Sequence, residues 1–127
     1  MTKVLVVDDD PIIVKLLTIN LEGNGYEVIS ARNGEVGLKK ALEEHPDIIL
    51  LDLMMPVMDG LEMLAELRRT SKIPVIIVSA YGSSEKVEQA RELGIECFLN
   101  KPFDVGVLPE VLGVMFSPEC TKEAWEG

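Results

Sequence analysis

Val4-Leu5-Val6-Val7-Asp8-Asp9-Asp10-Pro11 stands near the start of the chain, and Ile13, Leu16, Leu17, Asn20 and Leu21 follow it. An unbroken run of branched aliphatics is what a strand buried on both faces requires. Asp10-Pro11 then has the form of a helix N-cap followed by proline at the first helical position. The positions behind it, all apolar except Asn20, follow the i, i+3, i+4, i+7 pattern, which predicts a helix. The stretch therefore reads as strand, acidic turn, helix.

The same unit recurs along the chain. Further apolar runs occupy Tyr26–Ala31, Ile48–Leu51, Pro74–Val78 and Ile95–Leu99. Tyr26-Glu27-Val28-Ile29-Ser30 is more mixed than the others and has the composition of an edge strand. Helical spacing returns at Leu38, Ala41 and Leu42, at Leu61, Leu64 and Leu67, and at Val87, Ala90 and Leu93. It returns last at Val107, Leu108, Val111, Leu112 and Met115. Gly23, Gly25 and Gly94 fall where helices should stop. Strict alternation of strand and helix implies right-handed crossovers and a parallel sheet covered on both faces. The expected fold is α/β: a doubly wound, five-stranded parallel sheet in the order 2-1-3-4-5, a single flavodoxin-like (βα)5 domain. Gly106, Pro109 and Gly113 weaken the last helix, so its regular part is expected to begin nearer Leu108.

Composition narrows the function. The 127 residues carry a net charge of −10, from 22 acids against 12 bases, which opposes binding to nucleic acid or anionic membrane. With 47% hydrophobic and 27% charged residues the chain is globular in composition. Cys97 and Cys120 form no disulfide framework, and His45 alone cannot assemble a His/Cys zinc site. No stretch approaches the roughly 20 apolar residues of a membrane span, and a signal peptide needs a longer apolar core than Val4–Val7. A cytoplasmic domain is expected. His45 itself reads as a surface residue near a helix end.

Polar residues collect directly after the apolar runs. Asp8-Asp9-Asp10 follows the first, Asp52 the third, Ser79 the fourth and Asn100-Lys101-Pro102 the fifth. In such a sheet ligands bind beyond the carboxyl ends of the strands, where the strand order reverses. With strands 1 and 3 adjacent, Asp8, Asp9 and Asp52 converge, and Ser79 and Lys101 reach the same edge. Three carboxylates in one pocket repel each other and call for a cation. All-oxygen ligands favour Mg²⁺, with Asp8, Asp9 and Asp52 as the metal-binding acids. Asp52 is the central carboxylate and the natural nucleophile toward a phosphoryl group, with Lys101 and Ser79 balancing the charge that develops.

These blocks together resemble one family, the receiver domains of two-component response regulators. The residues that carry the resemblance are Val6-Val7-Asp8-Asp9-Asp10-Pro11, Asp52-Leu53-Met54-Met55-Pro56-Val57-Met58-Asp59-Gly60, Val78-Ser79-Ala80 and Lys101-Pro102-Phe103. They fall in register over roughly residues 3 to 116. The resemblance implies a domain over 1–118, leaving 119–127 as a tail that is either partly a cloning remnant or the start of a linker.

It further implies that Asp52 accepts a phosphoryl group from a phosphohistidine on a sensor histidine kinase or a histidine phosphotransfer protein. The Met54 backbone carbonyl joins Asp8, Asp9 and Asp52 around Mg²⁺, and a cis peptide precedes Pro102 and aims Lys101. Ser79 and Phe98 are the implied switch pair, although an aromatic in a strand is also ordinary core packing. The responding surface is that of helix 4, strand 5 and helix 5, which acts on a downstream protein or output domain or forms a phosphorylation-dependent homodimer. Met54 and Tyr81, both large and neither carboxylate nor amide, lead to an expectation of slow autodephosphorylation. The competing reading is an enzyme, a Mg²⁺-dependent phosphohydrolase with an aspartyl nucleophile. Such enzymes carry an acid/base aspartate two residues after the nucleophile on the first strand and a cap domain, whereas the first-strand acids here are adjacent. A flavodoxin-like electron carrier is disfavoured because the loop after the first strand is triply acidic rather than phosphate-cradling.

Overall fold

The computed structural model describes residues 2–53, 57–79 and 84–100. Within them the chain runs β1 (Lys3–Val7), α1 (Pro11–Gly23), β2 (Glu27–Ala31), α2 (Gly34–Glu44) and β3 (Ile48–Leu51). It continues through α3 (Gly60–Arg68), β4 (Val75–Ser79), α4 (Ser84–Leu93) and β5 (Cys97–Asn100). All strand pairs are parallel and the order is β2-β1-β3-β4-β5, as the alternation of strand and helix required. The stretch expected to form the last helix lies outside the described residues. None of the described helices is long and apolar enough to cross a membrane.

The solid aliphatic runs build a core on each side of the sheet, because successive residues of a strand point to opposite faces. Leu5, Val7, Ile49, Leu51, Val75, Ile77 and Phe98 face one side with Met63, Leu64 and Leu67 of α3. Val4, Val6, Ile48, Leu50, Ile76 and Val78 face the other with Leu17 and Leu21 of α1. β2 is one edge of the sheet, and its Val28, Ile29 and Ser30 are only half-buried. Asp10 caps α1 through a hydrogen bond from the Ile12 N–H to its Oδ1 (2.9 Å), with Pro11 at the first turn. Asn24 ends that helix, Gly25 turns at φ +89°, and Gly94 stops α4 at φ +103°. His45 is the exposed C-cap of α2 in the left-handed region (φ 50°).

Three expectations shift. β5 starts at Cys97, two residues later than the apolar run, because Ile95 packs on the core from the turn rather than from the strand. β4 starts after Pro74, whose carbonyl nevertheless accepts from Ile49 N–H at 2.9 Å. Leu16 and Leu42 satisfy the helical spacing but sit on the flanks of their helices, 48% and 44% exposed.

Candidate functional site

β1 and β3 are neighbours, so the residues that follow them meet at the carboxyl edge of the sheet. The Asp52 N–H donates to the Val7 carbonyl (3.0 Å) and the Asp8 N–H to the Ala31 carbonyl (3.1 Å). These bonds carry the ladder one residue past each strand and hold both acids in place. One oxygen of Asp8 accepts from the Asp10 N–H at 2.9 Å, which fixes the orientation of its carboxylate. Asp8 and Asp52 are buried, at 4% and 6% exposure, and Asp9 opens to solvent. Oxygens of Asp8, Asp9 and Asp52 all lie within 4.8 Å of one another.

Three carboxylates at that spacing repel, and two of them are shielded from water, so the cluster favours a bound cation. An all-carboxylate donor set with one solvent-facing member suits Mg²⁺, which keeps several waters and takes few protein ligands. The residues present therefore fit the metal expected from the sequence. Met54 and Lys101 lie outside the described residues, as do Tyr81 and Pro102. Ser79 ends β4 at the same sheet edge, in register with Asn100 of β5. Phe98 pairs in register with Ile77 and is 5% exposed within the core.

The loop between β3 and α3 is locked from two sides. Asp59 and Glu62 form a capping box: the Glu62 N–H donates to Asp59 Oδ1 (2.9 Å) and the Asp59 N–H to Glu62 Oε1 (3.4 Å). The Gly60 N–H returns to the Leu53 carbonyl (3.0 Å), and a side chain at Gly60 would overlap the Asp52 carbonyl oxygen and the Leu53 Cα. Gly34 opens α2 and donates to the Met58 carbonyl (2.9 Å), so the β2–α2 turn is tied to the same loop. The spacing Asp59-Gly60-Leu61-Glu62 is a helix-start signature visible in the sequence. The close approach of Gly60 to the backbone of Asp52 is a tertiary contact with no local signal.

Val57 is in the left-handed region (φ 71°) and is 74% exposed. A β-branched residue there costs roughly 1–2 kcal/mol, and an exposed side chain returns little through packing. Val57→Gly is expected to raise stability by about 0.5 kcal/mol in urea unfolding, the relief exceeding the extra chain entropy of glycine. A loss of about 1 kcal/mol or more would show instead that the valine packs usefully.

The response regulator receiver domain model matches residues 4–112. The alkaline phosphatase synthesis transcriptional regulatory protein PhoP of Bacillus subtilis is 44% identical over 102 residues, covering 80% of this chain and 42% of that protein. The transcriptional regulatory protein KdpE of Mycobacterium tuberculosis is 44% identical over 103 residues, covering 81% of this chain and 46% of that protein. The chain thus spans under half the length of these relatives. Among solved structures, the chemotaxis protein CheY4 of Vibrio cholerae superposes with a TM-score of 0.84 at 34% identity, covering 91% of this chain and 98% of that one. A Francisella response regulator receiver domain gives a TM-score of 0.84 at 33% identity, covering 91% and 97%.

Proposed function

The chain belongs to the response regulator receiver domains, and on that premise we propose that it takes a phosphoryl group onto Asp52 from a phosphohistidine donor. The observation that carries the reading is the meeting of Asp8, Asp9 and Asp52, with oxygens within 4.8 Å, at the carboxyl edge of β1 and β3. Asp52 directly follows the central strand β3, its N–H bonded to the Val7 carbonyl, and Gly60 lies close against its backbone. Its carboxylate oxygen attacks phosphorus, the P–N bond to the donor imidazole breaks, and the electron pair stays on that nitrogen. Mg²⁺, when bound by Asp8, Asp9, Asp52 and the Met54 carbonyl, neutralises charge on the phosphoryl oxygens. Lys101 and Ser79 hold the remaining oxygens, and water later removes the group slowly.

The switch is carried by Ser79 and Phe98. They lie on neighbouring strands, and Phe98 is packed in the core, so its rotation would repack the surface of α4 and β5 and of the fifth helix expected from the sequence. Repacking is a population shift, limited by the difference in phosphoryl affinity between the two states. Residues 1–118 are taken as the receiver, acting in the cytoplasm on an output domain, another protein or a second copy. Ile12, Leu16 and Ile19 form an exposed apolar stripe on α1, starting beside the acidic turn, and supply an apolar contact for the protein that carries the phosphohistidine (68%, 48% and 60% exposed).

Incubation with acetyl phosphate and Mg²⁺, followed by intact-mass measurement, tests the reading. One labile phosphate adduct is expected on the wild type and none on Asp52→Ala. Multiple turnover of a generic phosphate ester would point to the hydrolase instead. The metal makes a separate prediction. Mg²⁺ at 100 times its dissociation constant should stabilise the wild type by about 2.7 kcal/mol. A thermal melt should show this stabilisation lost in Asp8→Asn.

A further inference from the structure

Beside the acidic site, between α1 and the end of β2, lies a cleft of about 240 Å³. Asp8 and Asp9 line one part of it, Lys15 and Arg32 another, and Val14 and Ala31 also contribute. The Asp8 N–H bond to the Ala31 carbonyl brings the end of β2, and with it Arg32, against the metal-binding turn. Five other described cations are engaged. Lys3 pairs with Glu27 and Glu44, Arg69 with Glu66 and Arg91 with Glu88. Lys40 donates to the Ser30 carbonyl, and Arg68 to carbonyls of three residues. Among the described residues the side chains of Lys15 and Arg32 have no hydrogen-bond or ion-pair partner, so their charge acts on whatever enters the cleft or its rim.

We propose that Lys15 and Arg32 set the Mg²⁺ affinity of the acidic site, holding it weaker than the three carboxylates alone would make it. The inference rests on the reading of Asp8, Asp9 and Asp52 as the Mg²⁺ ligands. Charges sharing one small cleft lie within roughly a Debye length, about 8 Å at physiological salt. Each side chain therefore repels the incoming divalent ion and partly neutralises the acids before it arrives. Both side chains are exposed, so the effect is modest and screenable: roughly threefold in affinity per cation at low ionic strength. The consequence is a site whose loading follows the Mg²⁺ concentration instead of saturating far below it.

Isothermal titration of MgCl₂ into the full chain tests this without any phosphoryl chemistry. The variants are Lys15→Gln/Arg32→Gln and the charge-matched control Lys39→Gln/Lys72→Gln, whose residues do not line the cleft. At low salt the first should bind Mg²⁺ about tenfold more tightly than the wild type, and the control less than about twofold. In 1 M NaCl, where the Debye length falls to about 3 Å, the gain should shrink to about twofold or less. An affinity in the cleft variant equal to the control or weaker than the wild type overturns the proposal. So does a tenfold gain that persists in 1 M NaCl. If the wild type itself binds no Mg²⁺, the metal reading falls and the proposal with it, an outcome distinct from normal binding with unchanged variants.

Discussion

Gly60→Ala should cost the domain about 3 kcal/mol and impair Asp52 in the same step. An added methyl at this position meets the Asp52 carbonyl oxygen and carbon and the Leu53 Cα, all of them backbone atoms that cannot rotate away. The advantage of alanine over glycine inside a helix is about 1 kcal/mol at most, and at the first residue of α3 it is less. To relieve the overlap, α3 must withdraw or β3 must shift. The first breaks the Gly60 N–H bond to Leu53, and the second moves Asp52. The expected outcome is a melting temperature lower by about 10 °C together with reduced phosphoryl uptake. Gly23→Ala, where nothing lies within 4 Å of the added carbon, is the internal control and should leave the melting temperature nearly unchanged. Equal behaviour of the two variants would mean that Gly60 is not a close-packing position.

Arg68→Ala is expected to have a comparable effect on stability by a different route. Arg68 ends α3 and donates from Nε and Nη2 to the Gly94 carbonyl (3.0 and 2.8 Å). Its Nη1 donates to the carbonyls of Ile73 (2.8 Å) and Ser71 (3.3 Å). One side chain thus ties the end of α4 to the α3–β4 connection. Burial pulls its guanidinium below the ordinary arginine value, partly offset by the nearby Glu96 carboxylate, yet arginine stays charged at any physiological pH. Charge-assisted hydrogen bonds to carbonyls contribute about 1.5–3 kcal/mol each when lost from a buried site. Water can replace some of them at this half-buried position, so the loss should be about 2–3 kcal/mol. Amide exchange should rise first in the last turn of α4 and the start of β5, because the lost bonds join those elements to α3. Arg68→Lys should recover only part of the stability, since an ammonium cannot present the same fork of donors. Uniform loss of protection across the sheet would show that Arg68 acts on global stability and not as a local tie.

The sheet order and both core faces were legible because strands buried on two sides must be written as aliphatic runs. Val4–Val7 and Ile48–Leu51 could hardly serve as anything else. The half-buried edge was legible too, in the mixed composition of Val28, Ile29 and Ser30. Strand limits were less so: Ile95 is partly buried from a turn, and hydrophobicity reports burial without reporting backbone conformation. Leu16 and Leu42 show the same limit for helices, since an apolar residue at the right spacing can still lie on a flank. The acidic cluster was legible because two strand ends and a crossover rule bring Asp8, Asp9 and Asp52 together. The reason for Gly60, the left-handed backbone of Val57 and the placing of Lys15 and Arg32 in one cleft were not. Each depends on how separate loops meet at the sheet edge, which no local pattern records.

The cluster at the carboxyl edge of β1 and β3 is proposed to place a phosphoryl group on Asp52. The most direct measurement is chemical location of that group. After treatment with acetyl phosphate and Mg²⁺, borohydride reduction of the acyl phosphate and peptide mass analysis identify the modified residue. Modification is expected at Asp52 alone, dependent on Mg²⁺ and lost in Asp8→Asn. A phosphoryl group on any other residue, or an adduct that forms equally well in Asp52→Ala, would contradict it.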